Sequence, residues 1–288
     1  MDNKTIRLIL PQWQGGNRYV YAFGAKLLEW LAPAANCETF EIPLIPKTPE
    51  VIKDGIAFKE ELLRHSGEIY RFLQSKSPDK IIVFGGDCSI SLAPFTYLLE
   101  KYEGDAAVLW LDRHGDISVP GETTDYHAMV LASFLGEGDT DFSDFVKVKL
   151  DTEHLLHIGV NDPAKEFGRK IGNNYDFKNI LPEEFAENSS SVIAAIKDMH
   201  IRKLIIHFDL DVLDLSSFRS QSSANPSVYF ERLKLIRPGA SFQSLSRLLN
   251  DLDKQFDIVG LSLAEYLPWD AMNLANLLAG LPLLKDKI

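Results

Sequence analysis

A chain of 288 residues, 45% hydrophobic and 25% charged, has enough apolar material for one large α/β domain or two small ones. Lys plus Arg at 30 against Asp plus Glu at 41 leaves a net charge of −11, which argues against a nucleic-acid-binding surface. No apolar run approaches the ~18 residues of a membrane span, residues 1–13 are too weakly apolar for a secretory signal, and two cysteines, Cys37 and Cys88, make no disulfide framework, so a cytoplasmic location is expected.

Residues 5–10 (TIRLIL) read as a first strand closed by Pro11, with the glycine-bearing loop 12–17 behind it. Residues 21–31 carry apolar side chains near helical spacing, and Pro33 ends that helix. A short strand is expected over 40–45 and a long amphipathic helix over 56–73. Residues 80–84 (KIIVF) form the next strand and run into GGDCS at 85–89, with a helical pattern through Leu99. Paired glycines after a buried strand mean that the backbone passes close to something. Either this is an ordinary strand-to-helix turn capped by Asp87 or Ser89, or Asp87 and Cys88 face a cleft.

Residues 106–111 read as a buried strand, and Asp112, His114 and Asp116 follow at alternate positions. Extended backbone sends alternate side chains to one face, and Gly115 allows a close turn. Three metal-type ligands are therefore expected to converge where the strand leaves the sheet, although a solvated acidic turn would have the same pattern. His127 opens a helix-like segment, HAMVLASFLGEGD. A strand over 155–160 leads to Asp162, a polar loop is expected over 168–178, and a helix over 189–198. Residues 203–208 (KLIIHF) form a further buried strand that ends in Asp209 and Asp211. A substrate-side loop over 216–226, a helix over 242–252 capped by Ser241 or Ser244, a strand over 258–263 reaching Glu265, and a last helix over 271–281 complete the chain. Strands alternating with helices predict a largely parallel sheet covered on both faces. No linker or repeat divides residues 1–288, so a single domain is expected.

Ligands bind outside the carboxyl ends of strands in such folds. Five expected strand ends carry polar groups there: Cys88, Asp112 with His114 and Asp116, Asp162, Asp209 with Asp211, and Glu265. Crowding four aspartates into one apolar place is costly unless cations neutralise them. With oxygen ligands dominant, a two-metal hydrolytic site is the natural inference.

These motifs resemble those of the ureohydrolases: arginase, agmatinase and formiminoglutamase. That family's pattern contains a GGDHS-like turn, a DAHxD strand end, a His in an HG or HA segment, an SxDxDxxDP strand end and a late Glu-x-x-Pro. Here they read GGDCS at 85–89, DRHGD at 112–116, HAM at 127–129, HFDLDVLD at 207–214 and AEYLP at 264–268. The resemblance implies a three-layer α/β/α sandwich, a binuclear manganese centre, and hydrolysis of a C–N bond in a guanidino or amidino-type small molecule by metal-bound hydroxide. It implies that Asp112 and Asp209 bridge the metals, that His114 and Asp211 complete one position, and that Asp116 and Cys88 sit at the other. Asp116 and His127 would serve catalysis, Glu265 would hold the guanidinium, and Asp162 would face the substrate. It also implies a homo-oligomer.

The chain departs from the pattern most consequentially at Cys88, where the family has His. A thiolate suits zinc or iron better than manganese, so a different metal, a single metal, or an inactive structural or regulatory protein are the alternatives. Arg113 replaces a small residue and either points away from the metals or places a cation near the entrance. Ala164 and the segment 216–228 depart from standard arginases on the substrate side.

Overall fold

Buried apolar runs such as those at 5–10, 80–85, 107–111 and 203–209 supply the central strands of one sheet. The structure is a computed structural model and describes residues 4–43, 48–103, 105–161, 170–279 and 281. The chain opens with β1 (Thr5–Leu10), α1 (Val20–Leu31) and β2 (Glu38–Glu41). An antiparallel hairpin of β3 (Ile52–Lys53) and β4 (Ile56–Ala57) leads into α2 (Lys59–Lys76), β5 (Lys80–Gly85) and α3 (Leu92–Lys101). Next come β6 (Ala107–Leu111), α4 (Val130–Phe134), α5 (Thr140–Phe145), β7 (Leu155–Ile158), β8 (Asn179–Ile180), α6 (Ser190–Asp198) and β9 (Lys203–Asp209). The last elements are α7 (Tyr229–Leu235), α8 (Phe242–Asp253), β10 (Asp257–Ala264) and α9 (Trp269–Ala279). Eight strands pair in the order β2-β1-β5-β10-β9-β6-β7-β8, all parallel.

The two-residue period sorts the core into two layers of helix around that sheet. In β6, Val108 and Trp110 join Leu62 and Leu73 of α2 and Phe95 of α3 on one face. Ala107, Leu109 and Leu111 turn to the other face, against Val192 and Ile196 of α6 and Leu245 and Leu248 of α8. Each large side chain so buried contributes about 2 kcal/mol. The result is the expected α/β/α sandwich. Among the described residues, no helix is long and apolar enough to cross a membrane.

Several boundaries shift for local reasons. The strand expected over 40–45 lies at Glu38–Glu41; its last ladder bond is Ile42 N to Ile9 O at 3.1 Å, and Pro43 has no N–H to continue it. Residues 44–47 lie outside the described residues. The long helix starts at Lys59 rather than at 56, because Ile56–Ala57 pair as β4 and Phe58 takes a left-handed backbone at φ 55° that a helix cannot include. Ser241 caps α8 as expected, accepting from Ser244 N. The segment 216–226 is tied down through Gln221, whose buried amide donates to Leu213 O and Phe218 O. The hairpin, α5 and α7 went unforeseen because each is too short to show a period.

What matters for function is adjacency. β5, β10, β9 and β6 are consecutive in the sheet, so their carboxyl ends form one continuous edge.

Candidate metal centre

That edge carries Cys88 just past β5, Glu265 just past β10, Asp209 at the end of β9 and Asp112 just past β6. The turn after β5 is narrow. A Cβ on Gly86 would lie 1.7 Å from the Gln12 carbonyl oxygen, so only glycine lets the two loops cross. Asp87 does not face the cleft. It caps the turn, accepting from Ser89 N at 3.0 Å and Gly16 N at 3.1 Å, while Cys88 faces inward.

Asp112, His114 and Asp116 converge, but not by strand alternation. β6 stops at Leu111, the chain bends, and Asp116 takes a left-handed backbone at φ 51°. The residue with positive φ is therefore Asp116 and not Gly115. His114 Nδ1 lies 3.3 Å from Asp112 Oδ1 and 3.2 Å from Asp211 Oδ2. Asp112 also accepts from Trp110 Nε1 at 3.2 Å. Arg113 points away from the cluster. It is buried and donates to Asp211 O, Asn161 Oδ1, Arg237 O and Leu213 O, while its backbone N–H donates to Asp211 Oδ1.

On the other side, Cys88 Sγ is 3.2 Å from Asp209 Oδ2 and 3.5 Å from Glu265 Oε1. His127 sits inside a short 3-10 turn (Tyr126–Met129) rather than at the start of an α-helix, and its Nδ1 donates to Glu265 Oε1 at 2.6 Å. Tyr21 OH donates to Glu265 Oε2 at 2.9 Å. Both oxygens of Glu265 are thus engaged by the chain itself. Asp162 lies outside the described residues.

Electrostatics divide the cluster. Burial, then the charges of Asp116 and Asp211, push Asp112 well above the usual carboxylate range; burial, then Asp211 and Asp112, do the same to Asp209. Burial, then Glu265 and the aspartates, drive the Cys88 thiol upward. Burial also lifts Asp116, to about 6. Asp211 behaves oppositely: the His114 charge and the Arg113 contacts outweigh burial and hold it well below the usual range. Burial would depress His127, yet the Glu265 carboxylate raises it to about 9, and the same pair keeps Glu265 ionised.

The donor set fits divalent cations. Burial pushes Asp112 and Asp209 toward their protonated forms, and that is the cost that cations would remove. Asp116 Oδ2 is buried without a hydrogen-bond partner among the described residues. Ligand atoms of Asp112, His114 and Asp211 lie within 4.8 Å of one another, as do those of Cys88, Asp112, His207 and Asp209. Oxygen dominates the first group, while sulfur and nitrogen enter the second. Sequence reasoning missed His207, which sits inside the apolar run KLIIHF, and Tyr21, which reads as an apolar helix residue. His207 shares the parity of Asp209 and Asp211, and that signal could have found it.

The sequence profile of the arginase family matches residues 52–278. The arginase of Entamoeba histolytica, solved in complex with L-ornithine, shares the fold at TM-score 0.76 and 20% identity, over 92% of this chain and 91% of that one. Formimidoylglutamase of Bacillus subtilis shares it at TM-score 0.66 and 14% identity, over 93% and 81% of the two chains. A Staphylococcus aureus arginase (strain MRSA252) is 26% identical over 142 residues, so the match spans 46% of each chain, just under half the length of that relative. The match over most of its length means that the chain belongs to the arginase family.

Proposed function

We propose that this protein is a metal-dependent hydrolase cleaving a C–N bond in a guanidino or amidino-type small molecule. The observation that carries the reading is the meeting of Cys88, Asp112, His114, Asp116, Asp209 and Asp211 at the ends of adjacent strands, with Asp112 and Asp209 pushed above the usual carboxylate range by burial. Asp112 and Asp209 would be shared by two cations, His114 and Asp211 would complete one position, and Cys88 and Asp116 would stand at the other. Bound divalent cations would neutralise the carboxylates and lower the pKa of a water at the site.

The chain's own groups then have distinct tasks. Asp116, with an unpartnered oxygen near the charge of His127, takes the proton that the attacking water gives up. Water oxygen bonds to the central carbon, the C–N bond breaks, and the partly exposed, protonated His127 delivers a proton to the departing nitrogen. Glu265 is ionised and suits a cationic amidino group, which would displace His127 or Tyr21 from one of its oxygens.

A second reading, an arginase-family protein without turnover, is favoured by Cys88 and by the prior engagement of both Glu265 oxygens. Assay of urea and ammonia release from a panel of guanidino and amidino compounds, with manganese or zinc supplied, separates the two. The hydrolase reading expects turnover that disappears in Asp209→Ala. A fully metal-loaded protein that turns over no member of the panel supports the second reading.

A further inference from the structure

His207 lies on β9, and in the strand register it faces Trp110 of β6 and Ser262 of β10. Its ring is fully buried and stacks on the Trp110 indole, with centroids 3.8 Å apart and planes 14° apart. Nδ1 is held by two hydroxyls, Ser91 Oγ at 2.8 Å and Ser262 Oγ at 3.2 Å. Nε2 has no hydrogen-bond partner among the described residues. A buried polar nitrogen left bare is unfavourable. A ring oriented from one nitrogen so that the other is free is how metal-ligating histidines are held. A ring nitrogen of His207 lies within 4.8 Å of Cys88 Sγ and of carboxylate oxygens of Asp112 and Asp209, all four residues being buried.

We propose that His207 is a metal ligand through Nε2, and that with Cys88, Asp112 and Asp209 it builds a position for a borderline-soft divalent cation such as zinc. The position defined by Asp112, His114 and Asp211 stays oxygen-rich and suits a harder ion. This deepens the reading of the cluster as a metal centre and rests on it. Two departures from the family motifs meet here: Cys88 stands where the GGDHS-like turn has His, and His207 stands where SxDxDxxDP has Ser. β5 and β9 both flank β10, so the nitrogen absent from one strand end returns beside it from the other. Binding converts the Cys88 thiol to thiolate, and its proton leaves to solvent.

Cobalt(II) titration of the full-length apoprotein, with zinc and manganese competing, tests this assignment. A thiolate-to-cobalt charge-transfer band is expected in the near ultraviolet; it should be absent from Cys88→Ser and removed by one equivalent of zinc in preference to manganese. His207→Phe keeps a ring against Trp110 but offers no nitrogen, and it should weaken zinc at this position by about tenfold to a hundredfold while the other equivalent stays bound. Should His207→Phe fail to fold, imidazole 15N shifts of the wild type decide, with the Nε2 resonance of His207 expected to move on zinc addition. Cations that bind without a thiolate band, or unchanged zinc affinity in folded His207→Phe, or an unmoved Nε2 resonance, would overturn the assignment and leave the metal-centre reading standing. Wild-type protein that takes up no divalent cation at all overturns both.

Discussion

The two ends of the cluster solve the problem of buried charge differently. At the Asp112–His114–Asp211 end the chain supplies its own positive partners: the His114 ring and the Arg113 amide and guanidinium keep Asp211 ionised. At the Cys88 end, among the described residues, burial and neighbouring carboxylates dominate at Asp209 and at the thiol and push both toward their protonated forms. The positive charge nearest to hand, His127, is already paired with Glu265. One end is prepared in advance at Asp211, whereas Asp112, Asp209 and the thiol depend on what binds.

Removing the support of the prepared end should have the largest structural effect. Arg113→Met strips donors from four acceptors, three of them buried, and should cost about 4 kcal/mol in chemical denaturation, with loss of the cation at that end. A variant of near wild-type stability would mean that Arg113 does not brace it.

Acid should then weaken both ends together. His65 donates to Gln12 Oε1 at 2.6 Å, and Gln12 donates to Ser89 Oγ at 2.5 Å beside Cys88. His157 donates to Gly115 O at 3.2 Å, between His114 and Asp116. Burial depresses both rings to about 4, below their unfolded value of about 6.5. The unfolded chain therefore binds these protons first as pH falls. Their contribution is whole above about pH 6.5 and is lost through pH 4, at about 3 kcal/mol for each ring. Denaturation curves across this range should flatten in His65→Gln and His157→Gln separately, and an unchanged acid slope in both would contradict the assignment.

The smallest effect belongs to the substrate side. Tyr21→Phe removes a hydrogen bond to an ionised carboxylate, worth about 1.5–3 kcal/mol. It should change turnover or KM by about tenfold or more at unchanged metal content. Equal kinetics would show that Tyr21 does not position Glu265.

Much of this was legible in the sequence because the relevant signals are local. Runs such as KIIVF and VLWL mark buried strands, and DRHGD and DLD mark their ends. What stayed hidden depends on neighbours. The convergence of Asp112 and Asp116 comes from a bend and a left-handed residue, not from the strand period. Arg113 reads as a surface cation, yet it is spent on backbone and amide oxygens of other segments. His207 and Tyr21 sit among apolar residues and gain their meaning only when β6, β10 and the turn after β5 are set beside them. Glu265 is recognisable by motif, but its engagement by His127 and Tyr21 is a fact of packing.

The central proposal is that the cluster would hold two cations, with Asp112 and Asp209 contributing to both. Metal content of the full chain, by plasma emission after loading with manganese and zinc and removal of excess, tests it most directly. Two equivalents are expected in the wild type and none in Asp209→Ala. Less than one equivalent in the wild type, or two retained in Asp209→Ala, would contradict the account.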